Sequence, residues 1–112
     1  MANFQIVTPV QLGQAALTTS FATLYTTPVS TRTYVKQIDI CNTTATSIDV
    51  YLCFVPSGGT AGAGNALFYI RPLAGYSTLS WTGSQIMNAQ GTLQAKASGA
   101  GCTLTASGGE AV

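Results

Sequence analysis

Residues 48–55, Ile48-Asp49-Val50-Tyr51-Leu52-Cys53-Phe54-Val55, set Ile48, Val50, Leu52 and Phe54 on one side of an extended chain. A repeat of two belongs to a strand, whose successive side chains point to opposite faces, and it does not match the 3.6-residue repeat of a helix. Residues 34–42 repeat the pattern, with Tyr34, Ile38 and Ile40 on one side and Gln37 and Asp39 on the other. Between the two runs lies Thr43-Thr44-Ala45-Thr46-Ser47, a polar turn, so the pair reads as a hairpin. The second side of residues 48–55 carries Tyr51, Cys53 and Val55, which is too apolar for open solvent. It lies under a loop or meets another subunit, and the loop is the favoured reading.

Turn residues cut the rest of the chain into similar short pieces. Residues 21–26 form a strand ended by Pro28, and Leu67-Phe68-Tyr69-Ile70 is a strand stopped by Pro72, which has no N–H to give a ladder. Ser77-Thr78-Leu79-Ser80-Trp81 alternates up to Gly83. Residues 92–97 and 102–106 flank Ser98-Gly99-Ala100-Gly101, which reads as a second hairpin turn. The best helical window, residues 11–16, is undercut by β-branched neighbours. The expected fold is therefore all-β, an antiparallel β-sandwich or jelly roll of seven or eight short strands. Residues 1–16 are read as an amino-terminal arm or edge strand, 17–106 as the sandwich, and 107–112 as a flexible tail. The glycine-rich loop at 56–65 has the composition of a mobile connection.

A chain of 112 residues, 46% of them hydrophobic, holds one core and no second domain. Only 6% are charged, against roughly a quarter in an ordinary soluble protein. The charges are Arg32, Lys36, Arg71, Lys96, Asp39, Asp49 and Glu110, so the surface has to be built from Thr, Ser, Gly, Ala, Asn and Gln. Such a surface lacks charge repulsion and is easily covered by neighbouring subunits. The net charge of +1, with no basic run, lacks the footprint of a nucleic-acid binder. No window approaches the ~20 apolar residues of a membrane helix. The first residues lack a secretory signal, which suggests a protein made in the cytoplasm. Cys41, Cys53 and Cys102 are widely spaced, with no paired spacing of a zinc site, and read as thiols packed within strands.

The chemistry of catalysis is sparse. There is no histidine, hence no imidazole base and no imidazole metal ligand. Asp39 and Asp49 are the available carboxylate pair for glycoside hydrolysis, but both fall on polar strand faces, where solvation is the simpler reading. The glycines at 57–64 are followed by no Gly-Lys-Ser/Thr, so they do not make a phosphate-binding loop. The expectation is a non-enzymatic protein without cofactor or metal. Trp81, Tyr51, Tyr69 and Tyr76 have the ring faces a sugar would stack on, with packing as the plainer alternative.

The runs Leu24-Tyr25-Thr26-Thr27-Pro28-Val29-Ser30-Thr31, Val35-Lys36-Gln37-Ile38 and Cys41-Asn42-Thr43-Thr44 continue in Val50-Tyr51-Leu52 and Val55-Pro56-Ser57-Gly58-Gly59. With Asn65-Ala66-Leu67 and Gln94-Ala95-Lys96-Ala97-Ser98, they resemble a group of small tailed-phage virion proteins, over residues 17–106. The matching positions are strand faces and turns, so the resemblance carries over no catalytic or ligand residue. It implies a virion component, made in the host cytoplasm, and leaves its place on the particle open; the expected role is a cement subunit that decorates a bacteriophage head. Such a subunit is expected as a homotrimer contacting the major capsid protein or other virion proteins, with neither nucleic acid nor membrane as a partner. The alternative is a tail, baseplate or fibre module that binds host glycans. Candidate interface residues are Phe4, Ile6, Val10, Tyr51, Val55 and Tyr76.

Overall fold

The computed structural model describes residues 6–112. Phe4 lies outside them. Eight strands follow one another: β1 (Val7–Ala16), β2 (Ala22–Thr26), β3 (Arg32–Asn42), β4 (Ile48–Val55), β5 (Ala66–Leu73), β6 (Thr78–Met87), β7 (Thr92–Ala97) and β8 (Cys102–Ala111). One sheet runs β1-β8-β3-β6 and the other β2-β7-β4-β5, with every pairing antiparallel. This is the strand order of a jelly roll, in which two four-stranded sheets face each other over one core. Val35, Ile38, Ile40, Leu104 and Ala106 come from the first sheet and Val50, Leu52, Leu93, Ala95 and Ala97 from the second, all buried in one apolar cluster.

Every connection except that between β4 and β5 crosses from one sheet to the other. The two expected hairpins are therefore not hairpins. Residues 43–47 carry the chain from β3 over to β4 in the opposite sheet, and residues 98–101 do the same between β7 and β8. Short polar turns serve either purpose, and only the partners of each strand decide between them. The two crossing turns meet at one end of the sandwich, where Thr43 N–H and its hydroxyl both donate to the Gly101 carbonyl, at 2.8 and 2.7 Å.

The apparent tail is a strand. Residues 107–111 complete β8, which is paired with β1 on one side and β3 on the other. Its glycines are there for close approach: a Cβ at Gly108 would collide with the Tyr34 carbonyl. Residues 7–16, including the best helical window, form β1 at the edge of the chain's own sheet, against β8. Pro72 does not stop β5, which runs on to Leu73, because β5 is an edge strand and needs no donor on its open side. Gly83 does not stop β6 either. A side chain there would press on the Trp81 indole at 2.8 Å.

Candidate interaction surfaces

On β4 the inward set Ile48, Val50 and Leu52 leaves Tyr51 on the outer face of the second sheet. There its ring meets Phe21 edge-on at 6.3 Å and Tyr69 edge-on at 5.1 Å. The Lys96 ammonium lies over both the Phe21 ring (4.8 Å) and the Tyr51 ring (4.6 Å), where the negative ring faces attract it. Tyr51 is thus held by its neighbours on β5 and β7 and by the segment before β2. The Phe21 and Lys96 partners were not singled out from the sequence, because they come from strands far apart in the chain.

The other candidates do not gather on one surface. Ile6 is 65% exposed beside the β1 edge, with its N–H and carbonyl bonded to the Val112 backbone at 3.2 and 2.9 Å. Val10 is half-buried against the core from the same strand. Tyr76 is 76% exposed in the turn between β5 and β6, at the far end of the sandwich. Val55 is only 3% exposed and has almost no surface to offer a neighbour. Cys53, on the face read as too apolar for solvent, is fully buried, and its thiol reaches the Gly62 carbonyl at 3.4 Å. The 56–65 loop covers this part of the strand, as favoured from the sequence.

The carboxylates have no common site. Asp39 lies on the outer face of one sheet, accepting a bond from Gln37 Nε2 at 3.0 Å, and Asp49 lies on the outer face of the other. The core separates them, so they do not face each other across a substrate.

A groove of about 500 Å³ opens between the edge strands β5 and β6. Leu67, Phe68, Leu79 and Trp81 reach into it from the core, and Tyr69 and Arg71 stand at its rim. Trp81 and Tyr69, both named as ring faces for a sugar, line this one groove, while Tyr51 and Tyr76 do not. On the opposite side of the sandwich the two sheets close together, with Gly13 of β1 against the Leu24 backbone of β2.

No family model matches the chain, and no curated protein sequence matches it. Solved structures do. A subunit of Bacillus endospore appendages, described as disulfide-linked pili, superposes with a TM-score of 0.60 at 16% identity, over 96% of this chain and 87% of that one. The likeness is one of fold. VP2 of infectious bursal disease virus, from a subviral particle, gives 0.48 at 12% identity, over 98% of this chain and 33% of the viral one. The disulfide linkage is a property of the pilus. In this chain the three thiols are free, Cys53 and Cys102 are wholly buried, and burial raises the pKa of both above the ordinary thiol value.

Proposed function

We propose that the chain is a non-enzymatic structural subunit that decorates a bacteriophage head, associating with itself and with the major capsid protein. The observation that carries this reading is the surface: a jelly roll with only seven charged residues in the whole chain, which yet leaves Ile6, Val29, Ile70, Tyr76 and Ile86 more than half exposed. Covering neutral hydroxyl and amide groups costs far less than desolvating charges, and each Å² of apolar surface removed from water contributes about 25 cal/mol. The work done by such a subunit is mechanical: bridging a joint between capsid subunits, it adds contacts that must break before the shell opens. The jelly roll shared with a pilus subunit supports a building-block role, and the resemblance to phage virion proteins supports a place on the particle.

One observation favours a second reading. Trp81, Tyr69 and Arg71 meet in the groove between β5 and β6, where ring faces and a guanidinium would suit a host glycan, as in a tail or fibre module. An antibody against the chain, applied to intact virions and viewed by electron microscopy, tests both. Label over the shell is the expected result. Label confined to the tail supports the second reading, and particles without label contradict both.

A further inference from the structure

The four edges of the two sheets are unequally guarded against pairing with another chain. β1 carries Pro9 and a bulge at Leu12. β2 is five residues long and bulged at Leu24. β5 carries Arg71, Pro72 and a register break beside Ile70, whose φ of 52° turns the strand away. Prolines, charges, bulges and shortness are the usual defences of an exposed edge. β6 has ten residues with neither proline nor charge. Its one irregularity, at residues 83–84, leaves residues 78–82 in unbroken register with β3.

The ladder shows which backbone groups of that segment point outward. Asn42 N–H donates to the Ser77 carbonyl at 2.9 Å, which fixes the phase of the antiparallel pair. Hydrogen-bonded and non-bonded pairs alternate, so Leu79 and Trp81 spend their bonds on β3 while Thr78, Ser80 and Thr82 aim theirs at the open side. Among the described residues no strand pairs with that side. The side chains divide likewise, with Thr78, Ser80 and Thr82 exposed and Leu79 and Trp81 half-buried at the groove.

We propose that residues 78–82 of β6 are a self-pairing edge, by which two copies of this chain meet antiparallel about a two-fold axis at Ser80. The proposal rests on the self-associating reading above and gives it a surface. In this register Ser80 faces its own counterpart, Thr78 faces Thr82, and Leu79 faces Trp81, an aliphatic-aromatic pair of the kind that stabilises neighbouring strands. The outward backbone groups of the three polar residues satisfy one another, and the two β1-β8-β3-β6 sheets join into one. A second copy is the fitting occupant because a two-fold pair needs only one open edge, whereas a head-to-tail ring needs two, and the other three are guarded. No charge lies on the strand to oppose its own copy. A two-fold pair therefore replaces, in this proposal, the homotrimer expected of a cement subunit.

The test is the mass of the full chain in solution, by light scattering across the micromolar range, for the native sequence and for Ser80→Lys and Ser80→Asp. Native protein is expected to reach twice the chain mass. Each variant places like charges opposite each other at the axis and should weaken the pair roughly fivefold or more. Mixing the two variants in equal amounts should restore it. Amide hydrogen exchange of Thr78, Ser80 and Thr82, slowing with concentration in the native protein, reads the same edge without any substitution. A native chain that is monomeric throughout overturns the proposal. Association that ignores both substitutions and leaves these amides fast also overturns it, while the self-associating reading stands.

Discussion

Asn42 is wholly buried, yet its side-chain amide is fully engaged. Its Nδ2 donates to the carbonyls of Thr46 (2.8 Å), Leu73 (3.1 Å) and Ala74 (3.3 Å), and its Oδ1 accepts from the backbone N–H and the hydroxyl of Thr44 at 2.9 and 2.7 Å. One residue at the end of β3 thereby ties the 43–47 crossing to the turn before β6. Asn42→Ala leaves the buried Leu73 carbonyl without this donor and unties the more exposed Thr44, Thr46 and Ala74 groups, and should cost about 1–3 kcal/mol in urea unfolding. Asn42→Asp should cost more, because it sets a carboxylate against three carbonyls. Tyr25 makes a second polar contact of this kind. Its hydroxyl donates to Glu110 and shares a 2.8 Å bond with Thr33. Burial, and then the bond to Glu110, push its pKa from 10 up to about 12. Because the folded state holds the proton longer, this contribution is intact below pH 10 and disappears between about pH 10 and 12. Tyr25→Phe should flatten the fall in the urea midpoint over that window, and an equally steep fall in the variant would contradict the assignment.

Among the elements, β4 was the most legible, since its alternation places Val50 and Leu52 in the core as the sequence implies. Leu52 has no exposed surface, and Leu52→Ala should cost roughly 2–5 kcal/mol in the same unfolding assay. Phe54, expected beside it, is only half-buried against the cluster. β3 was legible only in part. A bulge at Lys36, opposite residues 107 and 108, adds one residue and shifts the phase, so Val35 rather than Tyr34 joins Ile38 and Ile40 inside. A bulge leaves no mark in a count of alternating residues. β8 was missed beyond Ala106 because its glycines resemble a flexible end, and the carbonyl they must clear belongs to a residue more than seventy positions away. The break in β5 puts Ile70, a β-branched residue, at φ 52°, where L side chains are strained by roughly 1–2 kcal/mol. Its side chain is more than half exposed. Ile70→Gly should therefore leave the melting temperature unchanged or raise it, although it deletes a large apolar group.

For the whole molecule, the sequence spoke clearly about class and poorly about partners. Short alternating runs bounded by turns require strands, and a single core of this size requires two facing sheets. They do not say which strands pair, because that depends on crossings between sheets that short turns permit equally well. The candidate contacts suffered for the same reason. Tyr51 and Val55 share a face of one strand, yet one joins an aromatic cluster while the other is buried. The open β6 edge is not legible in the sequence, because an unguarded edge exists only relative to the other three. What composition did reveal is the neutral surface, and the structure gives that surface an open edge and exposed apolar side chains. The most direct measurement is sedimentation equilibrium of the full chain across the micromolar range. The account predicts a mass that rises with concentration from one chain towards two or more. A single-chain mass at every concentration, with no self-contact on particles, would contradict it.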